Sequence, residues 1–215
     1  MFLPENFQNL PIPALVVFAA LGLLSVLTAT VTIFKLAQFR RMGIGRHAVA
    51  EEILDDWLNG RPNEAVRKAG SDRSALSRVL GAVMSGLRAC PGDASYGEEL
   101  GRQTALFELS EMGARMRILE AVVQGAPMLG LLGTVMGMID AFGNLALSQQ
   151  MADPRMLASG IWTALTTTAL GLAIALVAYF FANWLEGRIE DERQSIEIAI
   201  SAAIHGRVGA TGQVG

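Results

Sequence analysis

Two patterns of apolar residues alternate along the chain. In three stretches, 12–36, 121–147 and 160–185, apolar residues run almost unbroken over more than the roughly 20 residues that a bilayer-crossing helix needs. Elsewhere they recur every three or four positions among charges, the spacing of a helix with one buried face. Val49, Ile53, Leu54, Trp57 and Leu58 form one such stripe, stopped by Gly60-Arg61-Pro62, and a short helix is expected around 64–69. A cleaner stripe follows in Leu76, Val79, Leu80, Val83, Met84 and Leu87, with an N-cap expected near Ser71 or Asp72 and an end at Cys90-Pro91-Gly92. These stripes, Trp57 included, are most simply helix-packing core. From Ser95 the periodicity resumes through Leu100, Phe107, Met112, Met116 and Leu119 and meets no breaker. One helix is therefore expected from about 95 to 147, with Pro127 as a kink inside it. At 1.5 Å per residue it is about 80 Å long, far more than a bilayer needs. The third run likewise continues past Leu185 as an amphipathic helix through Ile189, Ile196 and Ile200.

The pattern predicts an all-α integral membrane protein with three transmembrane helices, two of them extending far into the cytoplasm. A cytoplasmic helical region, 37–120, lies between the first and second spans. Residues 1–11 and the loop 148–159 are expected on the periplasmic side, 186–205 as a cytoplasmic helix, and the glycine-rich 206–215 as a disordered tail. The first run does not read as a cleaved leader, because no basic residue precedes it, its apolar stretch is too long and positive charge follows it.

Small residues set two of the spans apart. Ala126, Gly130, Gly133, Thr134, Gly137 and Ala141 share one helical face in the second, and Ala164, Thr168, Gly171, Ala175, Ala178 and Ala182 share one in the third. Glycines cost helix propensity, and such stripes let another backbone approach closely. Gly130, Gly133, Gly137, Ala164, Gly171 and Ala175 are thus candidates for close packing, including packing around a partner. Hydroxyls interrupt both faces: Thr134 in the second span, and Thr163, Thr167 and Thr168 in the third. A threonine can bond its own helix and glue helices together, or it can line a hydrated path. Hydroxyls alone do not hold and release a proton near neutral pH, so a proton path needs a carboxylate. Asp140, about two turns from the outer end of the second span, is the intramembrane candidate in this chain, with a solvated place at the pore mouth as the equal alternative, and a partner subunit could supply another carboxylate.

Charge fixes the expected orientation. Lys35, Arg40, Arg41 and Arg46 follow the first span, and of the 17 Lys and Arg only Arg155 would lie outside if the N-terminus is periplasmic and the C-terminus cytoplasmic. The net charge of −3 and the absence of a dense basic run argue against nucleic acid as a partner. Cys90 is the sole cysteine, His47 and His205 stand apart, and no nucleophile–base pair, metal set or phosphate loop can be assembled, so neither an enzyme nor a cofactor is expected.

The run from Ala126 to Met138, Ala-Pro-Met-Leu-Gly-Leu-Leu-Gly-Thr-Val-Met-Gly-Met, resembles the corresponding motif of the ExbB/TolQ/MotA family of ion-driven motor subunits, most closely the ExbB and TolQ branch. A second match is Gly160-Ile161, Ala164-Leu165 and Thr167 to Leu172, with Asn183 further on. The resemblance covers nearly the whole chain. It implies an inner-membrane pentamer around a dimer of a single-span partner like ExbD or TolR, whose membrane aspartate is the main proton carrier. Thr134 and Thr168 match the family's pore threonines, and the work passes to a TonB-like or TolA-like protein. MotA-type stators have larger cytoplasmic regions. The chain departs from the pattern at Thr163, where ExbB and TolQ usually carry glutamate, at Val177 in place of a proline, and at Asp140 in place of histidine or asparagine. A different class of function, a non-conducting scaffold whose cytoplasmic helices bind partners, uses the same threonines only as glue.

Overall fold

The computed structural model describes residues 12–45, 47–147 and 154–206. The expected periplasmic N-terminus at 1–11, Arg46, the first half of the expected loop at 148–153, and the expected disordered tail from 207 on lie outside the described residues. Among the described residues there are helices and turns and no strand. The helices are α1 (Ile12–Arg41), α2 (Ala48–Leu58), α3 (Pro62–Ser71), α4 (Ala75–Ala89), α5 (Ala94–Gly113), α6 (Met116–Leu147) and α7 (Pro154–His205). Three stretches, one on α1, one over α5 and α6, and one on α7, are long and apolar enough to cross a membrane. The all-α fold class with three candidate spans is what the pattern predicts.

The main departure lies between α5 and α6. The single helix expected over 95–147 is two helices, broken at Ala114–Arg115, where Arg115 turns to φ +67. Pro127, the residue expected to bend it, is accommodated inside a continuous α6. α7 starts at Pro154, earlier than the expected span, and a proline's missing N–H costs nothing in a first helical turn. The N-cap of α4 is Ser74, not Ser71 or Asp72. Its hydroxyl accepts from Ser77 N at 3.2 Å, and Asp72 accepts the hydroxyls of Ser74 and Ser77.

The described helices divide into two compact units. One combines α1 up to Ile33 with α6 and α7 up to Asn183, and the other combines the rest of α1 and α7 with α2 to α5. The second, charged unit is built on the stripes seen in the sequence. Ile53, Leu54, Leu76, Val79, Leu80, Val83 and Met84 are buried together with Ile196, Ala199 and Ala203 of α7. Trp57 packs against that core and donates from its indole to Ala203 O at 3.0 Å. Three buried carboxylates brace the elements around it. Asp56 pairs with Arg61 at 2.8 Å and Lys68 at 2.7 Å, Glu108 pairs with Arg78, and Glu192 accepts the backbone N–H of Gly45 at 3.1 Å. The hydrogen bond from Lys68 is the main reason the Asp56 carboxyl is held below its ordinary range, and the same bond pushes the Lys68 ammonium up.

Candidate functional site: the α6–α7 seam

In the apolar unit, the two small-residue stripes meet each other. A Cβ placed on Gly171 would stand 2.5 Å from Ala126 O and 3.1 Å from Gly130 Cα, and one on Gly130 would stand 3.0 Å from Thr167 O and from Thr168 Cα. Real Cβ atoms do not come within 2.5 Å of another atom, so position 171 admits only glycine, and at position 130 the facing backbone of α7 would have to give way. The seam runs on through Gly137, whose Cβ would meet Ala164 Cβ at 2.9 Å, and through Gly160, whose Cβ would meet Ala141 Cβ at 2.6 Å. α1 forms a third wall. Val17 and Leu21 are buried with Val122, Ala126, Ala175 and Ala178, and Val17 Cγ1 would be 3.0 Å from a Cβ on Gly133.

The threonines divide by where their hydroxyls go. Thr168 Oγ1 donates across the seam to Gly130 O at 2.9 Å. Thr167, fully buried, donates to Ala164 O in its own helix at 2.6 Å and lies 3.3 Å from the same Gly130 O. In helical geometry, that carbonyl is also the acceptor for Thr134 N, so one peptide gathers donors from both helices. Thr163 and Thr134 bond only locally, to Ser159 O at 3.0 Å and to Leu131 O at 2.7 Å. Thr134 is half-exposed and lies, with Val135, Met138, Ile139 and Phe142, on an open apolar face of α6. Asp140 is half-exposed two turns along, and its carboxylate accepts from Asn144 Nδ2 at 3.3 Å. The structure thus brings Thr167 and Thr168 together on Gly130, with Gly133, Gly137, Ala164 and Gly171 along the same seam and Ala175 buried in the apolar core beside it. It leaves Thr134, Thr163 and Asp140 on local partners.

This seam lies inside the region shared with known proteins. Residues 73–198, more than half of the chain, match the MotA/TolQ/ExbB proton channel family. The chain belongs to that family. It is similar to an ExbB homologue of Methanothermobacter thermautotrophicus, 32% identical over 84% of this chain and 62% of that protein. An ExbB-like protein of Synechocystis is 33% identical over 76% of this chain and 64% of its own length. The Tol-Pal system protein TolQ of Haemophilus influenzae is 38% identical over 38% of this chain and 36% of its own. The chain therefore spans a little under two thirds of the first two relatives. With three spanning-length helices, this MotA/TolQ/ExbB family member is a multi-pass membrane protein.

Sequence reasoning identified the two stripes but missed what joins them. The shared acceptor, Gly130 O, is a backbone atom and leaves no mark in a residue pattern. Gly160 facing Ala141 extends the third-span stripe by one step, at i−4 from Ala164, and that spacing could have revealed it. The contribution of α1 has no small-residue signature, because Val17 and Leu21 pack as ordinary apolar side chains.

Proposed function

We propose that the chain is an ExbB- or TolQ-type subunit of an inner-membrane proton-channel motor. Five copies would form a ring around two copies of a single-span ExbD/TolR-like protein, converting proton motive force into work on a TonB-like or TolA-like protein. The observation that carries this reading is the contrast among the threonines. Thr167 and Thr168 spend their hydroxyls inside the subunit, whereas Thr134 stands half-exposed on an open apolar face of α6 with Val135, Met138, Ile139 and Phe142. A hydroxyl on that face can pass a proton to or from a carboxylate that a partner helix brings, and the partner's carboxylate is the group that titrates. In this reading Thr134 and Asp140 face the ion pathway, Thr163 borders it, and Thr167 and Thr168 hold the seam that forms its wall. Gly130, Gly133, Gly137, Ala164, Gly171 and Ala175 hold α6 and α7 in the shape that faces the partner. The excess of Lys and Arg on one side of the spans supports a periplasmic N-terminus and a cytoplasmic C-terminus. Asp140 stands in for the carboxylate that Thr163 lacks, so Asp140→Asn should abolish ion flux and leave assembly intact, while unchanged flux would remove that role.

One observation favours the scaffold reading: Thr134, Thr163, Thr167 and Thr168 all have a backbone acceptor, as glue requires. Two measurements on protein co-purified with its single-span neighbour separate the readings. Native mass spectrometry should give five copies of this chain with two of the partner, and liposomes holding that complex should take up protons when a gradient is imposed. A complex that conducts no more than empty liposomes would overturn the motor in favour of the scaffold.

A further inference from the structure

Within the apolar unit, α1 and α6 do not close against each other along their whole length. Beside the core that buries Leu21 and Val122, an open groove runs between the two helices, with Leu24 and Leu27 of α1 as one wall. Along α6 it follows the face of Ala121, Gly125, Met128 and Leu132, at steps of four, three and four. One step earlier on that face stands Arg117, exposed, the only charged residue lining the groove among the described residues. The other lining side chains carry no hydroxyl, amide or charge.

The chain does not fill this groove itself. A Cβ on Gly125 would meet nothing within 4 Å, unlike one on Gly130 or Gly171 of the α6–α7 seam. Glycine nonetheless costs roughly 1 kcal/mol of helix propensity at such a position. Met128, at 71% exposure, projects past the gap and leaves it open. Depth then limits what enters. Arg117 precedes the apolar run beginning at 121 by one helical turn, which places its guanidinium at headgroup level with its stem along apolar surface. From Arg117 to Leu132 is about 22 Å at 1.5 Å per residue. One leaflet's hydrocarbon is about 15 Å deep, half of a ~30 Å core, so the groove can hold an acyl chain over that depth. At its end a guanidinium matches phosphate with two parallel hydrogen bonds. A protein helix laid in the same groove would have to bring a carboxylate to that point, whereas a lipid phosphate is already there.

We propose that the α1–α6 groove is a lipid site, taking one acyl chain of an anionic phospholipid along Ala121–Leu132 and its phosphate on Arg117. The site uses neither Thr134 nor the α6–α7 seam, so it does not depend on the motor reading.

Photo-crosslinking of the full-length protein in phosphatidylcholine vesicles tests this. The probes are trace phosphatidylglycerol and trace phosphatidylcholine, each with a diazirine in one acyl chain, and labelled peptides are located by mass spectrometry. In the native protein, phosphatidylglycerol should label Leu24–Leu27 and Gly125–Leu132 about fivefold more than phosphatidylcholine, the preference that one arginine near the surface gives an anionic lipid. Leu176 and Phe180, exposed on α7, give the level of bulk-lipid contact. Arg117→Gln should erase the headgroup preference, and Arg117→Lys should keep part of it. Gly125→Leu, whose side chain enters space the chain leaves open, should lower labelling of the groove by both probes to the level at Leu176. Equal labelling by the two probes in the native protein, or native labelling in both Arg117→Gln and Gly125→Leu, would overturn the site in favour of bulk-lipid contact. A groove that neither probe labels, as when a second copy of the chain covers it, would overturn it too. If Gly125→Leu does not fold, the native preference and its loss in Arg117→Gln decide.

Discussion

The two units share close glycine contacts but differ in what fills the rest of their helix interfaces. In the apolar unit, α6 and α7 touch backbone to backbone, with glycine at the contacts and hydroxyls donating to a main-chain carbonyl. In the charged unit, α4 and α5 also meet at glycine, where a Cβ on Gly86 would stand 2.7 Å from Gly97 Cα, but the core beyond that contact is leucine, valine and methionine, and buried carboxylates pin the elements around it. The contrast follows from solvent. Apolar side chains gain nothing by leaving lipid for another helix, so close van der Waals contact and interhelical hydrogen bonds must supply the attraction. In water, burial of the apolar stripes supplies it, and charges are available to set the register. A substitution at a tight glycine contact should therefore be damaging, and the same substitution at an open glycine harmless.

The largest difference is expected for Gly171→Ala. Its new Cβ would press on the Ala126 carbonyl, a backbone atom that cannot swing aside, so it should cost about 1–3 kcal/mol in reversible unfolding in mixed micelles. Next comes Asp56→Asn in the charged unit. Because Asp56 is held below its ordinary value, its contribution is complete above the usual carboxylate range near pH ~3.9 and disappears as pH falls through the lower folded value. Lys68 is raised, so its share is complete below its ordinary pKa of ~10.4 and disappears as pH rises through the higher folded value. The stability gap between wild type and Asp56→Asn should therefore be flat from about pH 5 to 9 and shrink beyond both limits. A gap that stayed constant to pH 2 would show that the ion pair is not its source. Further along α7, a Cβ on Gly187 would meet nothing within 4 Å beyond its own helix backbone, and Gly187→Ala should stabilise by up to about 1 kcal/mol through helix propensity alone. The same change thus acquires opposite signs at two glycines of one helix. Smaller still, Thr168→Val should cost about 0.6 kcal/mol, the usual worth of one interhelical hydrogen bond in a membrane protein.

Much of this architecture was written in periodicity. Three apolar runs gave the spans, and steps of three and four gave α2, α4 and the faces of α6 and α7 that meet. The stripes of the charged region likewise form one core, with Trp57 at its edge. What stayed hidden depended on contacts between distant residues. At the end of α5 only Gly113 is a local signal, while Lys35 and Gln38, which donate to Met112 O and Glu111 O, come from 77 and 73 residues away in sequence. The cap of α4 was misplaced by two or three residues because Ser71, Asp72 and Ser74 are all competent caps, and only the Asp72–Ser74–Ser77 network chooses among them. Of the candidate ion-pathway residues, their spans were evident from the sequence, but which hydroxyl turns inward was not. Thr167 and Thr168 are adjacent and chemically identical, as are the surroundings of Thr134 when read as a string of small and apolar residues.

That last distinction is where function parts from packing. Thr134 bonds only its own helix, so Thr134→Val should leave unfolding unchanged within about 0.5 kcal/mol, the range of substitutions that break no tertiary contact. The most direct test of the proton-channel reading is proton uptake by liposomes carrying the complex with the proposed single-span partner, wild type against Thr134→Val at equal assembly. Uptake lowered at least tenfold, with stability intact, is the expected result. Uptake equal to wild type would contradict the account and leave Thr134 as one more polar residue on a packed helix.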